Sequence, residues 1–418
     1  MSDQAFRARE GKLSCEDCSL ERIAASVPTP FYVYSSREVV RRFRRLDSAF
    51  SAQPHLICYA LKANSQPALL RLLFDEGAGA EVVSGAELAL ALRVGVPPER
   101  VVFSGVGKTE WELEAGLQAD IFLFHLESEG EAALLDGIAA RYGRRARVSV
   151  RINPDIDAGT HPHIATGVQA AKFGLDLRAA MDLYHRHREF PHLDFCGIHS
   201  HIGSQITSLH PLGEAARTLG KAIGELKGYG LTIHHVDIGG GLGIAYREDP
   251  APEFEAYAQE VLPWLSRSGA RVIIEPGRAL VGPAGALVVR VLYVKGVQGR
   301  RFVVVDAGMN DLLRPALYDA YHRIVPVVKR EGEREKVDIV GAVCESSDTF
   351  GRDRMLTDPH PGDLLAILDT GAYGYVMSSN YNLRPRPAEV LVEAEAFRVV
   401  RAAETVNDLL ARELGEKS

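Results

Sequence analysis

At 418 residues the chain is long enough for two domains with a sizeable core, and 46% hydrophobic with 25% charged residues is the balance of an ordinary globular protein. A formal net charge of -7 gives no basis for nucleic acid as a partner, no apolar run is long enough to span a bilayer, and the opening MSDQAFRARE is not a signal peptide, so a cytoplasmic protein with no membrane partner is expected. The five cysteines are odd in number and scattered, which argues against a disulfide framework, and Cys15 and Cys18 lack a second ligand pair at zinc spacing.

Ser35–Phe50 reads as a first helix. Eight short apolar runs follow: Ile57–Leu61, Glu81–Val83, Val101–Ser104, Ile121–His125, Val148–Ile152, Phe195–His199, His235–Ile238 and Val272–Glu275. Helical patterns separate them at Glu87–Val94, Trp111–Leu117, Glu131–Tyr142, Leu177–Glu189, Leu212–Tyr229 and Pro252–Ser266. Strand–helix alternation argues for a parallel sheet, and eight units argue for a closed (β/α)₈ barrel. After Gly285 apolar runs punctuated by turn residues take over: Ala286–Val294, Phe302–Val305, Ile324–Val328, Val337–Val343, Leu364–Leu368 and Val390–Val400. This predicts an all-β domain of sandwich or barrel type, closed by a helix over Thr405–Leu414, with the junction at Pro283-Ala284-Gly285.

The chemistry-bearing residues stand where a barrel enzyme works, at the C-terminal ends of its strands. Lys62 ends the first apolar run. Alone, such a lysine is more often a side chain snorkelling from a strand end; a buried one pairs, loses its proton or bonds covalently to a carbonyl carbon, as in Schiff bases with pyridoxal phosphate. His199 ends strand six and His201 follows it, but no third metal ligand is evident, and an imidazole stacked on a flat cofactor fits equally well. Gly239-Gly240-Gly241 follows strand seven, where a phosphate is often held. Glu275 ends strand eight, either as a plain ion pair with Arg278 or facing a cationic ring nitrogen. In the second domain Cys344 and Glu345 lie just past a strand, Arg314 and Tyr318 stand four apart, and the glycines around Tyr373 form a turn or let the tyrosine reach into a cleft.

Taken together, YALKAN, HSHIGSQ, DIGGGLG, EPGR, CESSD and GAYGYVMSSNYN resemble, in order, the motifs of the diaminopimelate decarboxylases, pyridoxal-phosphate enzymes of the alanine-racemase-like fold type, across nearly the whole chain. The resemblance implies a cofactor-binding barrel over 36–282 and a β-domain made of 1–35 plus 283–418, with Thr29–Tyr34 adding a strand to it. It implies that Lys62 carries the cofactor, that His201 stacks on the ring, and that Ser204, Gly239, Gly240, Gly241, Glu275, Gly277 and Arg278 hold phosphate and ring. Arg278, Arg314, Tyr318, Glu345 and Tyr373 match the substrate contacts, Tyr373 also touching the cofactor, and Cys344 matches the proton donor. A homodimer with shared active sites is implied, acting on meso-2,6-diaminopimelate to give L-lysine and CO₂, with no metal. One departure stands out: family members commonly have Asp where this chain has Glu81.

Other readings remain open. A decarboxylase of carboxynorspermidine, D-ornithine or D-lysine would share most of these motifs, but two arginines beside one glutamate argue for a distal carboxylate. An amino-acid racemase of this fold puts an arginine against the pyridine nitrogen, where this chain has Glu275.

Overall fold

The computed structural model of the protein describes residues 5–159, 166–167, 172–247 and 250–416. The chain divides into two compact units, one of Arg42–Ile244 with Pro250–Ala279, the other of Met1–Arg41 with Ala245–Asp249 and Leu280–Ser418.

The first unit is a parallel barrel of eight strands: β1 His55–Ala60, β2 Gly79–Val82, β3 Val101–Phe103, β4 Leu123–Leu126, β5 Ala146–Asn153, β6 Leu193–His199, β7 His235–Asp237 and β8 Arg271–Ile274. Each pairs with the next, and β8 closes on β1 with Ile274 opposite Ile57. A two-residue strand, Leu175–Asp176, adds to β5 outside the closure. All eight apolar runs therefore appear as strands, because residues covered on both sheet faces are selected for continuous apolarity.

Helices follow the strands. Pro67–Asp75, after β1, is absent from the sequence expectation although Pro67 sits in its first turn and the Gln66 side chain accepts the Ala68 N–H at 3.2 Å. Gly85–Val94, Glu110–Gln118 and Glu129–Arg141 start at Ser84, Thr109 and Ser128, whose side chains cap the exposed amides. Leu177–His185, His210–Gly228 and Phe254–Leu265 complete the ring.

The interior of the barrel changes character along its length. Leu56, Cys58, Val102, Leu123, Cys196 and Ile273 form an apolar layer. Two residues further along the same strands the inward positions become polar: Val102 is followed by Ser104, Leu123 by His125 and Ile273 by Glu275, since alternate residues share a face. On β6 a register shift between Phe195 and Gly197 makes the step three residues, from Cys196 to His199.

The second unit is a mixed sheet. Its order is Thr349–Thr357, Arg334–Val340, Arg300–Val305, Gly285–Val297, Phe31–Ser35, Ala388–Glu393 and Ala396–Arg401, with Leu364–Leu368 also pairing on Gly285–Val297 and Ile324–Pro326 on Leu364–Leu368. Phe31–Ser35 runs antiparallel to Gly285–Val297 and parallel to Ala388–Glu393. Several elements differ from expectation. Val390–Val400 is a hairpin that turns at Ala394, φ +57°, and Glu395, neither of them a characteristic turn residue. Thr349–Thr357 is a strand that the sequence hides behind its charged residues. Short helices at Leu20–Ala24 and Arg314–Tyr318 interrupt what was expected to be all-β. The final helix runs Val406–Glu413, capped by Thr405. Among the described residues no helix is long and apolar enough to cross a membrane.

Within this sheet the fully buried Tyr34 hydroxyl donates to Glu389 Oε1 at 2.7 Å, and Arg401 bonds the other carboxylate oxygen. Tyr34→Phe removes a hydrogen bond to a buried charge and should lower stability by about 1.5–3 kcal/mol in urea unfolding. An unchanged midpoint would show that Arg401 alone satisfies Glu389.

Candidate active site

At the C-terminal end of β1 the chain turns through a single 3₁₀ turn, Leu61–Ala63, which directs Lys62 across the barrel mouth. Its amine donates to both oxygens of Glu81, the first at 2.7 Å and the second at 2.7 Å. Glu81, at the end of β2, is fully buried, whereas Lys62 keeps about a third of its side chain, 32%, exposed. Burial raises the Glu81 pKa and the Lys62 charge opposes that rise. Lys62 is thus paired rather than snorkelling, and its amine remains within reach of a ligand. The longer Glu81 side chain spans the gap with both oxygens.

The turns after β6, β7 and β8 interlock around this lysine. His201 Nδ1 accepts the Gly240 N–H at 3.1 Å, which leaves the ring proton on Nε2 and fixes the imidazole plane. Burial, then the Lys62 charge, push His201 down to about 3, so the ring is neutral. Gly239 donates to Asp237 Oδ1 at 2.8 Å, so two amides of the triple glycine are already engaged within the protein. Gly239 and Gly241 have φ of +66° and +99°, and a Cβ on Gly240 would lie 2.0 Å from the Glu275 carbonyl oxygen. The glycine run is therefore required by close backbone approach. Gly277 brings its loop against the turn that carries Lys62: a Cβ there would come within 2.8 Å of Ala63 Cβ. Arg278 follows and donates to Ser204 Oγ at 2.9 Å.

Below these turns lies a buried polar cluster that sequence reasoning missed. His125 Nε2 lies 3.1 Å from Asp237 Oδ2 and 3.4 Å from Glu275 Oε1. Its Nδ1 bonds Ser149 Oγ. Ser104 donates to Glu275 Oε1 at 3.3 Å, and His199 Nε2 stands 3.6 Å from Oε2. Burial alone would depress His125, but the hydrogen bonds it donates to Asp237 and Glu275 hold it at about 9. His199 is pushed to about 3 by burial and by the charge of His125. Burial opposes ionisation of Glu275, yet His199 and His125 keep it well below the usual carboxylate range; at neutral pH the cation among them is His125. Four ligand-type groups, His125, His199, Asp237 and Glu275, have donor atoms within 4.8 Å of one another, so His199 has neighbours of metal-ligand type that the sequence did not reveal. His201, the other histidine of the motif, is not among them. The signal that could have found His125 is its place two residues beyond an apolar inward position on β4.

The remaining predicted residues belong to the sheet unit. Arg314 opens a five-residue helix that ends at Tyr318. Its guanidinium donates to the Tyr246 hydroxyl at 3.0 Å and to His322 Nε2 at 2.9 Å. His322 Nδ1 must donate to the Leu368 carbonyl at 2.9 Å, so Nε2 is an acceptor and the imidazole is neutral. Cys344 is exposed, its N–H donating to Asn382 Oδ1 at 2.9 Å. Glu345 accepts from the Tyr381 hydroxyl at 3.4 Å. Asp348 pins the loop through the amides of Met309 and Val343, each at 2.7 Å. Tyr373 holds φ +55° between Ala372 and Gly374, a strained conformation for a non-glycine residue.

Residues 36–282 match the family described as pyridoxal-dependent decarboxylase, pyridoxal binding domain. The chain is 45% identical to a diaminopimelate decarboxylase of Aquifex aeolicus, covering 95% of this chain and 94% of the relative. It is 45% identical to one of Vibrio cholerae, covering 97% of each. The crystal structure of diaminopimelate decarboxylase from Helicobacter pylori complexed with L-lysine superposes with a TM-score of 0.92 at 41% identity, covering 95% of this chain and 100% of that one.

Glu87 lies next to this site, in the first turn of the helix after β2, with Oε2 accepting the Val83 N–H at 2.8 Å. Burial raises its pKa from 4.5 to about 7, against that hydrogen bond. A carboxyl raised in the folded state favours folding when neutral, so its contribution is complete below the unfolded value and is lost as pH rises through about 7. Glu87→Gln should therefore gain stability over the natural protein as pH is raised from 5 to 8 in urea titrations. Parallel pH profiles for the two proteins would refute this.

Proposed function

The chain belongs to the diaminopimelate decarboxylases, and we propose that Lys62, the turns around it and the polar groups of the sheet unit divide the work of that reaction as follows. The enzyme is a carboxy-lyase that uses pyridoxal 5'-phosphate to convert meso-2,6-diaminopimelate to L-lysine and CO₂, the last step of lysine biosynthesis. The observation that carries the division of labour is the Lys62–Glu81 pair at the barrel mouth, an accessible amine beside a buried carboxylate, with an ionised Glu275 at the end of β8.

The donor set fits this cofactor. Lys62 offers the amine, Glu81 can take up its proton when the amine becomes nucleophilic, and neutral His201 offers a flat, fixed face. Glu275 suits a protonated ring nitrogen. Ser204, Arg278 and the turns of Gly239, Gly240, Gly241 and Gly277 border the place for the phosphate, the Gly239 and Gly240 amides being bonded to Asp237 and His201. Once bound there, pyridoxal phosphate supplies the electron sink for the pair released as CO₂ departs.

The protein's own groups govern the rest. Arg278 and Arg314 take the distal carboxylate of the substrate, Glu345 its distal ammonium, with Tyr318 and Tyr373 orienting it. The bond from the α-carbon to its carboxylate breaks, and Cys344 Sγ gives the α-carbon a proton in its place. Lys62 and Cys344 belong to different units of the chain. Together with the family pattern, this supports a homodimer in which Cys344 of the partner subunit and Glu345 of the partner subunit complete each site. A cytoplasmic location is part of the same reading, supported by the class of reaction.

Lysine and ornithine bring no distal carboxylate and so forgo charge-assisted hydrogen bonds worth about 1.5–3 kcal/mol each, roughly ten- to hundredfold per bond. Both should be turned over far more slowly than diaminopimelate in a CO₂-release assay. Glu345→Gln should cut diaminopimelate turnover and leave the cofactor absorbance of the resting enzyme intact. Comparable kcat/KM for diaminopimelate and lysine would remove the substrate assignment.

Site sharing is tested by mixing. Inactive Lys62→Ala and inactive Cys344→Ala chains, dissociated and re-associated together, should recover part of the activity through hybrids with one intact site. No recovery despite demonstrated exchange would place the whole site within one chain.

A further inference from the structure

The cluster beneath Glu275 is more elaborate than an ion pair requires. Asp237 and His125 are both fully buried and Glu275 is 4% exposed, so each charge there must be matched locally. The His125 ring is held from three sides: Asp237 at Nε2, Ser149 at Nδ1, and the His199 ring stacked at 4.1 Å with planes 26° apart. A bare Nε2 lone pair would face two carboxylates, so Nε2 carries a proton that points at both. Asp237 in turn is anchored by the Gly239 amide through its other oxygen.

Building on the assignment of Glu275 to the cofactor's ring nitrogen, we propose that Asp237 and His125 are positioning residues. They hold the Glu275 carboxylate in the orientation and charge state that a protonated pyridine needs. Burial and the Glu275 charge push the Asp237 carboxyl up to about 7, and its hydrogen bonds with His125 and the Gly239 amide oppose that rise, so Asp237 and His125 are matched to each other. His125 fixes Oε1 through Nε2–H, and Asp237 offsets the imidazolium, so that the charge on Glu275 remains available to the ring. The raised pKa of His125, about 9, agrees with an imidazolium between these carboxylates.

The test compares two cofactors: pyridoxal phosphate and its analogue with C–H in place of the ring nitrogen. Cofactor-free full-length protein is titrated with each, and Kd is read from absorbance and fluorescence. For His125→Leu, Kd for pyridoxal phosphate should rise about tenfold, the scale of one charge-assisted hydrogen bond, while Kd for the analogue changes by less than about threefold. Asp237→Asn, which keeps the side-chain shape, should show the same selectivity and decides the matter if His125→Leu does not fold. Glu275→Gln is the control for the underlying assignment. Equal losses for both cofactors in His125→Leu and Asp237→Asn, with Glu275→Gln still selective, would make His125 and Asp237 merely structural and overturn the proposal alone. No selectivity even in Glu275→Gln would overturn both, because Glu275 would then not face the ring nitrogen.

Discussion

Charge taken out of water at the mouth of a parallel barrel has to be matched on the spot, and most of the site's architecture answers to that constraint. Eight strands end there together, so polar side chains from different strands meet in one buried layer. Lys62 on the first strand end is matched by Glu81 on the second. Lys108, almost fully buried beyond β3, is matched by Glu131 in the helix after β4 and also donates to the carbonyls of Gly105 and His125. Arg151 on β5 bonds Glu127 at 2.6 Å. Each pair joins neighbouring segments of the ring, so losing one partner strands the other in low dielectric.

The same constraint explains why the cofactor groups stand on strand ends and tight turns. A carboxylate assigned to stabilise a ring cation must stay ionised without moving, which neighbouring hydrogen bonds ensure better than solvent. Glu275 obtains this from Ser104 and His125, with the His199 ring 3.6 Å away, side chains that come from three other strands. The glycine turn contributes indirectly: Gly239 fixes Asp237, and Gly240 fixes the plane of His201. Removing Cβ atoms there lets backbone amides reach side chains that carry the chemistry.

The sheet unit is built differently. Its candidate groups lie on a short helix and on turns, and exposure accompanies them: Cys344 is exposed, and Glu345 accepts from the Tyr381 hydroxyl at 3.4 Å. Arg314 is the exception, buried and held by Tyr246 and neutral His322, which fix its direction.

The amino-acid sequence by itself determined the barrel, the change to a sheet-rich unit, and the order of the motifs around Lys62, Gly239–Gly241, Glu275 and Cys344. Those features are local: continuous apolar runs mark doubly covered strands, and glycine runs mark close backbone approach. The hairpin at Ala394 and the strand Thr349–Thr357 were hidden because their residues carry no local turn or apolar signal. His125, Asp237 and Ser149 were illegible for a different reason. They lie on three strands, 112 residues apart at the widest between His125 and Asp237, and look like ordinary strand residues until the barrel closes and brings Asp237 and Ser149 onto the two ring nitrogens of His125. Only the tertiary structure decides which inward-facing positions meet, because closure, not sequence neighbourhood, sets the distance between strand ends.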